Sequence, residues 1–97
     1  MEVKLAQATA TIQIDNERVS VTEWTFAPGA ETGWHRHQYD YVVVPQTTGK
    51  LLLKTKGGDS VSELTCGKSY FRKAGVEHNV INASDGEFVF VEIEIKS

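Results

Sequence analysis

Three histidines carry the most chemistry this chain can offer. His35 and His37 are separated by one residue, and His78 is the third and last histidine of the sequence. In an extended strand, residues i and i+2 leave the same face, so the first two imidazoles would point together. Neutral imidazole suits Fe, Ni, Cu, Zn or Mn-like ions, and three such ligands leave coordination positions open for substrate or water. Gly75, three residues before His78, permits a tight turn that would return a strand toward the pair. An isolated H-x-H pair also fits surface or core histidines, so the surrounding pattern has to decide.

That pattern is one of short strands. Turn-forming clusters stand at Asp15-Asn16-Glu17, Pro28-Gly29, Thr47-Thr48-Gly49, Gly57-Gly58-Asp59, Ala74-Gly75 and Ala83-Ser84-Asp85-Gly86. Segments rich in Val, Ile, Thr and aromatics lie between them. Ala8, Ala10, Ile12 and Ile14 alternate with polar residues, as do Val89, Val91, Ile93 and Ile95 with Glu92 and Glu94 opposite. Phe88 and Phe90 share the glutamate face, so both faces of that strand are apolar near its start. This is consistent with cover from a second sheet or a partner chain. The apolar parity switches between Val21 and Trp24, which predicts a bulge or a strand that changes sheets. No segment carries a capped 3.6-residue period, and the whole reads as an all-β sandwich or barrel, jelly roll included.

Composition narrows the function. The 97 residues are 40% hydrophobic and 24% charged with a formal net charge of −3, an ordinary globular balance for one domain over residues 1–97. Lys50, Lys54 and Lys56 are spaced as the solvent face of a strand, so no basic patch for nucleic acid is expected. No stretch approaches the ~20 apolar residues that span a bilayer. Met1-Glu2-Val3-Lys4 lacks the layout of a signal peptide, and a cytoplasmic location is the expectation. Cys66 is the one cysteine, which excludes an intrachain disulfide; it is expected as a small buried apolar side chain.

The motifs resemble those of the cupins. Gly29, His35, His37 and Gly49 stand as in the first cupin motif, glycine-x5-His-x-His with a closing glycine. Gly67, Gly75, His78 and Asn82 stand as in the second, glycine-x5-Pro-x-Gly-x2-His-x3-Asn. Together they span over half the chain, with a short segment, Lys50 to Cys66, between them. The run Thr32-Gly33-Trp34-His35-Arg36-His37, followed by Tyr39-Asp40-Tyr41-Val42-Val43-Val44-Pro45, is similar to small bacterial cupins, including ones associated with β-alanine degradation. Two departures stand out. Lys73 replaces the usual proline of the second motif, at a position that shapes a turn. Tyr41 and Val42 occupy the positions where the first motif usually supplies a glutamate ligand.

The resemblance implies a cupin jelly-roll barrel, with His35, His37 and His78 holding one divalent transition metal (Fe, Ni, Zn or Mn) and with pairing into a homodimer. Three neutral ligands cancel none of the metal's charge, so a small anionic ligand or substrate is expected: a thiol, carboxylate or diketone. The implied chemistry is that of a metal dioxygenase. A non-catalytic metal- or ligand-binding module is the alternative, and a Lewis-acid isomerase or lyase the third reading. The third is weakened because no pocket carboxylate is evident to act as base. Tyr41 shares the parity of His35 and His37 and is read as a hydrogen-bond donor to bound substrate or oxygen. Tyr39 has the same parity and is expected beside the cavity. Asp40 and Arg36 are expected to point away, Arg72 is a candidate for recruiting an anion, and Asn82 is read as closing the turn after the His78 strand.

Overall fold

The computed structural model describes residues 5–96, so Met1 to Lys4, read above for a leader segment, lie outside the described residues. Among the described residues there are nine strands and no α-helix, and no helix is long and apolar enough to cross a membrane. The strands are β1 (Thr9–Asp15), β2 (Val19–Phe26), β3 (His35–Arg36), β4 (Asp40–Pro45), β5 (Gly49–Thr55), β6 (Gly58–Leu64), β7 (Tyr70–Arg72), β8 (Glu77–Asn82) and β9 (Phe88–Ile95). They form two antiparallel sheets, ordered β1-β2-β9-β4-β7 and β3-β8-β5-β6. This is the all-β jelly-roll barrel that the resemblance to cupins implies, and it falls within the sandwich-or-barrel class read from the turn spacing.

The inner face of the five-stranded sheet is built in rows by its register. Thr22, Glu92, Val43 and Tyr70 form one row across four strands. Trp24, Phe90 and Pro45 form the next, and Phe26 with Phe88 closes the end. From the other sheet Leu51 and Val80 face them, and all of these large apolar side chains except half-buried Trp24 and Tyr70 are buried. Phe26 and Phe90 ring centres lie 5.4 Å apart in a tilted contact.

Asn82 is fully buried at that closed end, and its side-chain amide donates to the carbonyls of Phe26, Ala27 and Gly86 while accepting from the Ser84 amide. It ties the β2 and β8 turns together, the structural role its motif position implies. Gly49 is required there because a Cβ would meet the Ser84 hydroxyl and lie 2.9 Å from Phe88 Cδ2.

Three sequence expectations change. The pairing of β2 with β9 runs unbroken from Val19 to Phe26, so the parity switch is no bulge in β2. Val21 lies on the outer face and Trp24 on the inner one, and both faces of the strand carry apolar residues. The register shift lies in β1 instead, between Ile12 and Ile14, and puts these two isoleucines on opposite faces of an exposed edge strand. Cys66 is exposed rather than buried: it sits in the turn after β6, where its thiol donates to the Gln46 carbonyl at 3.2 Å.

Candidate metal centre

The open end of the barrel holds the histidines. His35 on β3 and His78 on β8 are direct partners across the antiparallel pair, so their side chains leave the same face. Gly75 stands at φ +100° in the turn before β8 and donates its amide to the His37 carbonyl, while the His37 amide donates to Val76. The turn that the glycine spacing implied therefore brings His78 to the H-x-H pair. The Nε2 atoms converge, 3.0 Å between His35 and His37 and 3.2 Å between His37 and His78.

That convergence tests the fit for a metal. Ring nitrogens each ~2.1 Å from one ion lie roughly 3.0–3.4 Å apart as the angle between them opens from square to tetrahedral. The observed separations fall in that span. The His35 Nδ1 lies 2.9 Å from the Gly33 carbonyl, which can only accept, so Nδ1 is the donor there and the corresponding neutral tautomer offers its lone pair on Nε2. Burial, reinforced by repulsion from the other histidines, lowers His37 to about 4. Burial, His35 and Arg72 do the same for His78, to about 4. Both are neutral at pH 7, the protonation state that a metal ligand needs. The donor set suits the borderline transition metals.

The centre opens on a cavity of about 200 Å³. Its lining combines apolar side chains, Trp24, Leu53, Val80 and Phe90, with polar ones, the histidines, Tyr41, Tyr70, Arg72 and Glu92. Tyr41 is buried and stacks on His37 with ring centres 3.9 Å apart and 18° between planes. Burial, with Glu92 adding to it, pushes its phenol above the ordinary range, so the group keeps its proton and acts as a donor. Arg72 is its partner across β4 and β7, and the guanidinium lies 4.7 Å from the Tyr70 ring centre.

Tyr39 does not line the cavity. Regular pairing in β3 ends at Arg36, and the bend that follows breaks the parity on which that reading rested. Asp40 points away as expected, its carboxylate accepting the Ala74 amide, and Arg36 is exposed. Glu92 is the residue that sequence reasoning missed. It is buried, lines the cavity, and has Oε1 3.8 Å from His37 Nδ1, so a pocket carboxylate does exist. Burial, with Glu94 adding repulsion, pushes it up to about 7. With His37 neutral, the contact is not a formed ion pair. The available signal was its shared parity with Phe88 and Phe90: the face that buries two phenylalanines also buries Glu92.

Fold and site together define a cupin. The cupin domain family model matches residues 22–94, and the chain belongs to that family. Among individual relatives, it is 68% identical over 90 residues to the β-alanine degradation protein BauB of Pseudomonas aeruginosa, covering 93% of this chain and 95% of that one. A crystal structure of a cupin domain from Bordetella pertussis Tohama I is 68% identical with a TM-score of 0.96, covering 99% of this chain and all of that one. The polyketide cyclase RemF of Streptomyces resistomycificus shares the fold at 19% identity, with a TM-score of 0.73 over 98% of this chain and 71% of its own.

Proposed function

We propose that this protein is a metal-dependent cupin that binds a small anionic metabolite beside a three-histidine centre, and that it acts on that metabolite as a dioxygenase in β-alanine degradation. The convergence of three Nε2 atoms on the wall of a cavity carries the reading. A divalent ion there would supply open positions for an anionic ligand and, if redox-active, for O2. His35, His37 and His78 would hold it. Arg72 would draw the anion to the mouth, and Tyr41 would donate a hydrogen bond to it. The apolar side chains of the lining would take the uncharged part of the ligand and exclude water. The strong likeness to BauB supports the metabolic setting.

A second reading is favoured by Glu92. A carboxylate in the same cavity gives the base that a Lewis-acid isomerase or lyase requires. Elemental analysis of untagged protein, paired with an oxygen-uptake screen of small carboxylates and thiols, separates the readings. Metal-dependent uptake is the expected result. Conversion without uptake selects the isomerase or lyase, and binding without turnover selects a binding module. Protein with no stoichiometric metal overturns the proposal.

The protein also acts, in this reading, as a homodimer through the outer face of the five-stranded sheet. Ile14, Val21, Ile93, Val42 and Phe71 form one continuous apolar row across all five strands, with Val91 and Val44 beside it. Ile14 is 48% and Phe71 49% exposed. Five strands at ~4.8 Å by six residues at ~3.3 Å project about 500 Å². That is at the upper end of what monomers expose, against the ~800 Å² of accessible surface each partner contributes to a standard interface. Sedimentation at micromolar concentration should give a dimer, and Val42→Lys a monomer; a monomeric parent protein would remove the claim.

A further inference from the structure

The first cupin motif usually contributes a glutamate, and here Tyr41 and Val42 stand in its place. Yet a carboxylate reaches the centre from another strand. Glu92 lies on β9, opposite Val43 of β4 and Thr22 of β2, so the sheet register turns it into the barrel. Its Oε1 approaches the Nδ1 side of His37, whereas the Nε2 of that ring faces His35 and His78. The carboxylate therefore sits behind the ligand and not among the three converging nitrogens.

We infer that Glu92 is a positioning residue that holds the proton of His37 on Nδ1, leaving Nε2 bare for the metal. Three observations lead there. His35 has its Nδ1 facing the Gly33 carbonyl, whereas the two ring contacts of His37 are Nε2-to-Nε2 approaches to His35 and His78, and its Nδ1 makes no hydrogen bond among the described residues. Glu92 Oε1 lies 3.8 Å from its other nitrogen, with a Glu94 carboxylate oxygen in the same cluster within 4.8 Å, and the Glu92 contact is longer than a hydrogen bond but close enough for a carboxylate's field to favour the tautomer with the proton on that side. Tyr41 stacks on the ring face, so the imidazole is constrained in plane by one residue and in tautomer by the other. A ligating histidine held by an outer carboxylate is more basic and better oriented, and loss of such partners typically costs 10–100-fold in metal affinity. The missing ligand charge is restored one layer out, which keeps the coordination positions open.

This inference rests on the metal-centre reading, but its test has an arm that needs no metal. In EDTA-treated full-length protein at pH 8.5, long-range 1H–15N correlation of the imidazoles reads each tautomer. Glu92→Leu should lower the Nδ1–H population of His37 relative to the parent protein, in favour of the Nε2–H form that can donate to His35, while His35 is unchanged. Glu92→Gln keeps an acceptor without the charge, so it should shift the tautomer less and secures the test if the leucine variant folds poorly. Zn2+ titration should show a 10–100-fold weaker affinity for Glu92→Leu and a smaller loss for Glu92→Gln. An unchanged His37 tautomer in both variants overturns the inference. A changed tautomer in a protein that takes up no Zn2+ upholds the positioning role and overturns the metal-centre reading instead.

Discussion

At one end of the barrel Phe26 and Phe88 are 0% exposed, Leu51 1% and Asn82 2%, and every polar atom of Asn82 is engaged by backbone. At the other end the same strands surround a cavity, three imidazoles face one another, and a carboxyl lies buried beside them. Strand β9 passes through both, from Phe88 and Phe90 to Glu92. The closed end is where burial of apolar surface stabilises the fold. The open end places desolvated bases and an acid where, without a ligand, they cost stability. The candidate site occupies the end of the barrel opposite the aromatic core.

The sharpest way to break this contrast is to damage each end separately. His35→Ala/His37→Ala should abolish stoichiometric metal binding by elemental analysis while the metal-free protein still unfolds cooperatively in urea. Phe88→Ala should cost about 3–5 kcal/mol in urea unfolding, with metal retained in the folded fraction. Metal retention by the double histidine variant would place the ion elsewhere.

A smaller effect is expected at the boundary. Tyr41→Phe should leave metal content intact and weaken anion affinity or turnover by about 1.5–3 kcal/mol, the worth of a hydrogen bond to a charged group. Loss of metal would make Tyr41 a direct ligand, and no response would reduce it to packing.

A further effect concerns pH. His37 and His78 fall from 6.5 to about 4 in the fold, so the unfolded chain takes up their protons first and stability drops as pH falls from 6.5 toward 4. Glu92 rises from 4.5 to about 7, so it acts oppositely, lowering stability as pH rises from 4.5 to 7. Two histidines against one carboxyl leave the unfolded state binding about one proton more between pH 4.5 and 6.5. Metal-free protein should therefore gain stability with rising pH across that window, by urea midpoints, and Glu92→Gln should steepen the gain. A flat profile in both proteins would show that the open end is wetter than its burial implies.

The all-β class, the turn positions and the histidine set were legible in the sequence because each depends on local signals. Alternation, turn residues and glycine-to-histidine spacing are short-range, and the H-x-H pair and Gly75 act within a few residues of the ligands. Parity failed where it was carried across a bend, as at Tyr39, since a strand's alternation ends with its pairing. It was also silent where both faces of a strand are apolar. Val89, Val91 and Ile93 on one side and Phe88 and Phe90 on the other are equally good core candidates by hydropathy. Only the meeting of the two sheets decided that the phenylalanine side is inside, and that choice put Glu92 in the cavity and the valines on the outer face. Which side of a strand is buried is a property of what packs on it, and residues far apart in the chain supply that contact.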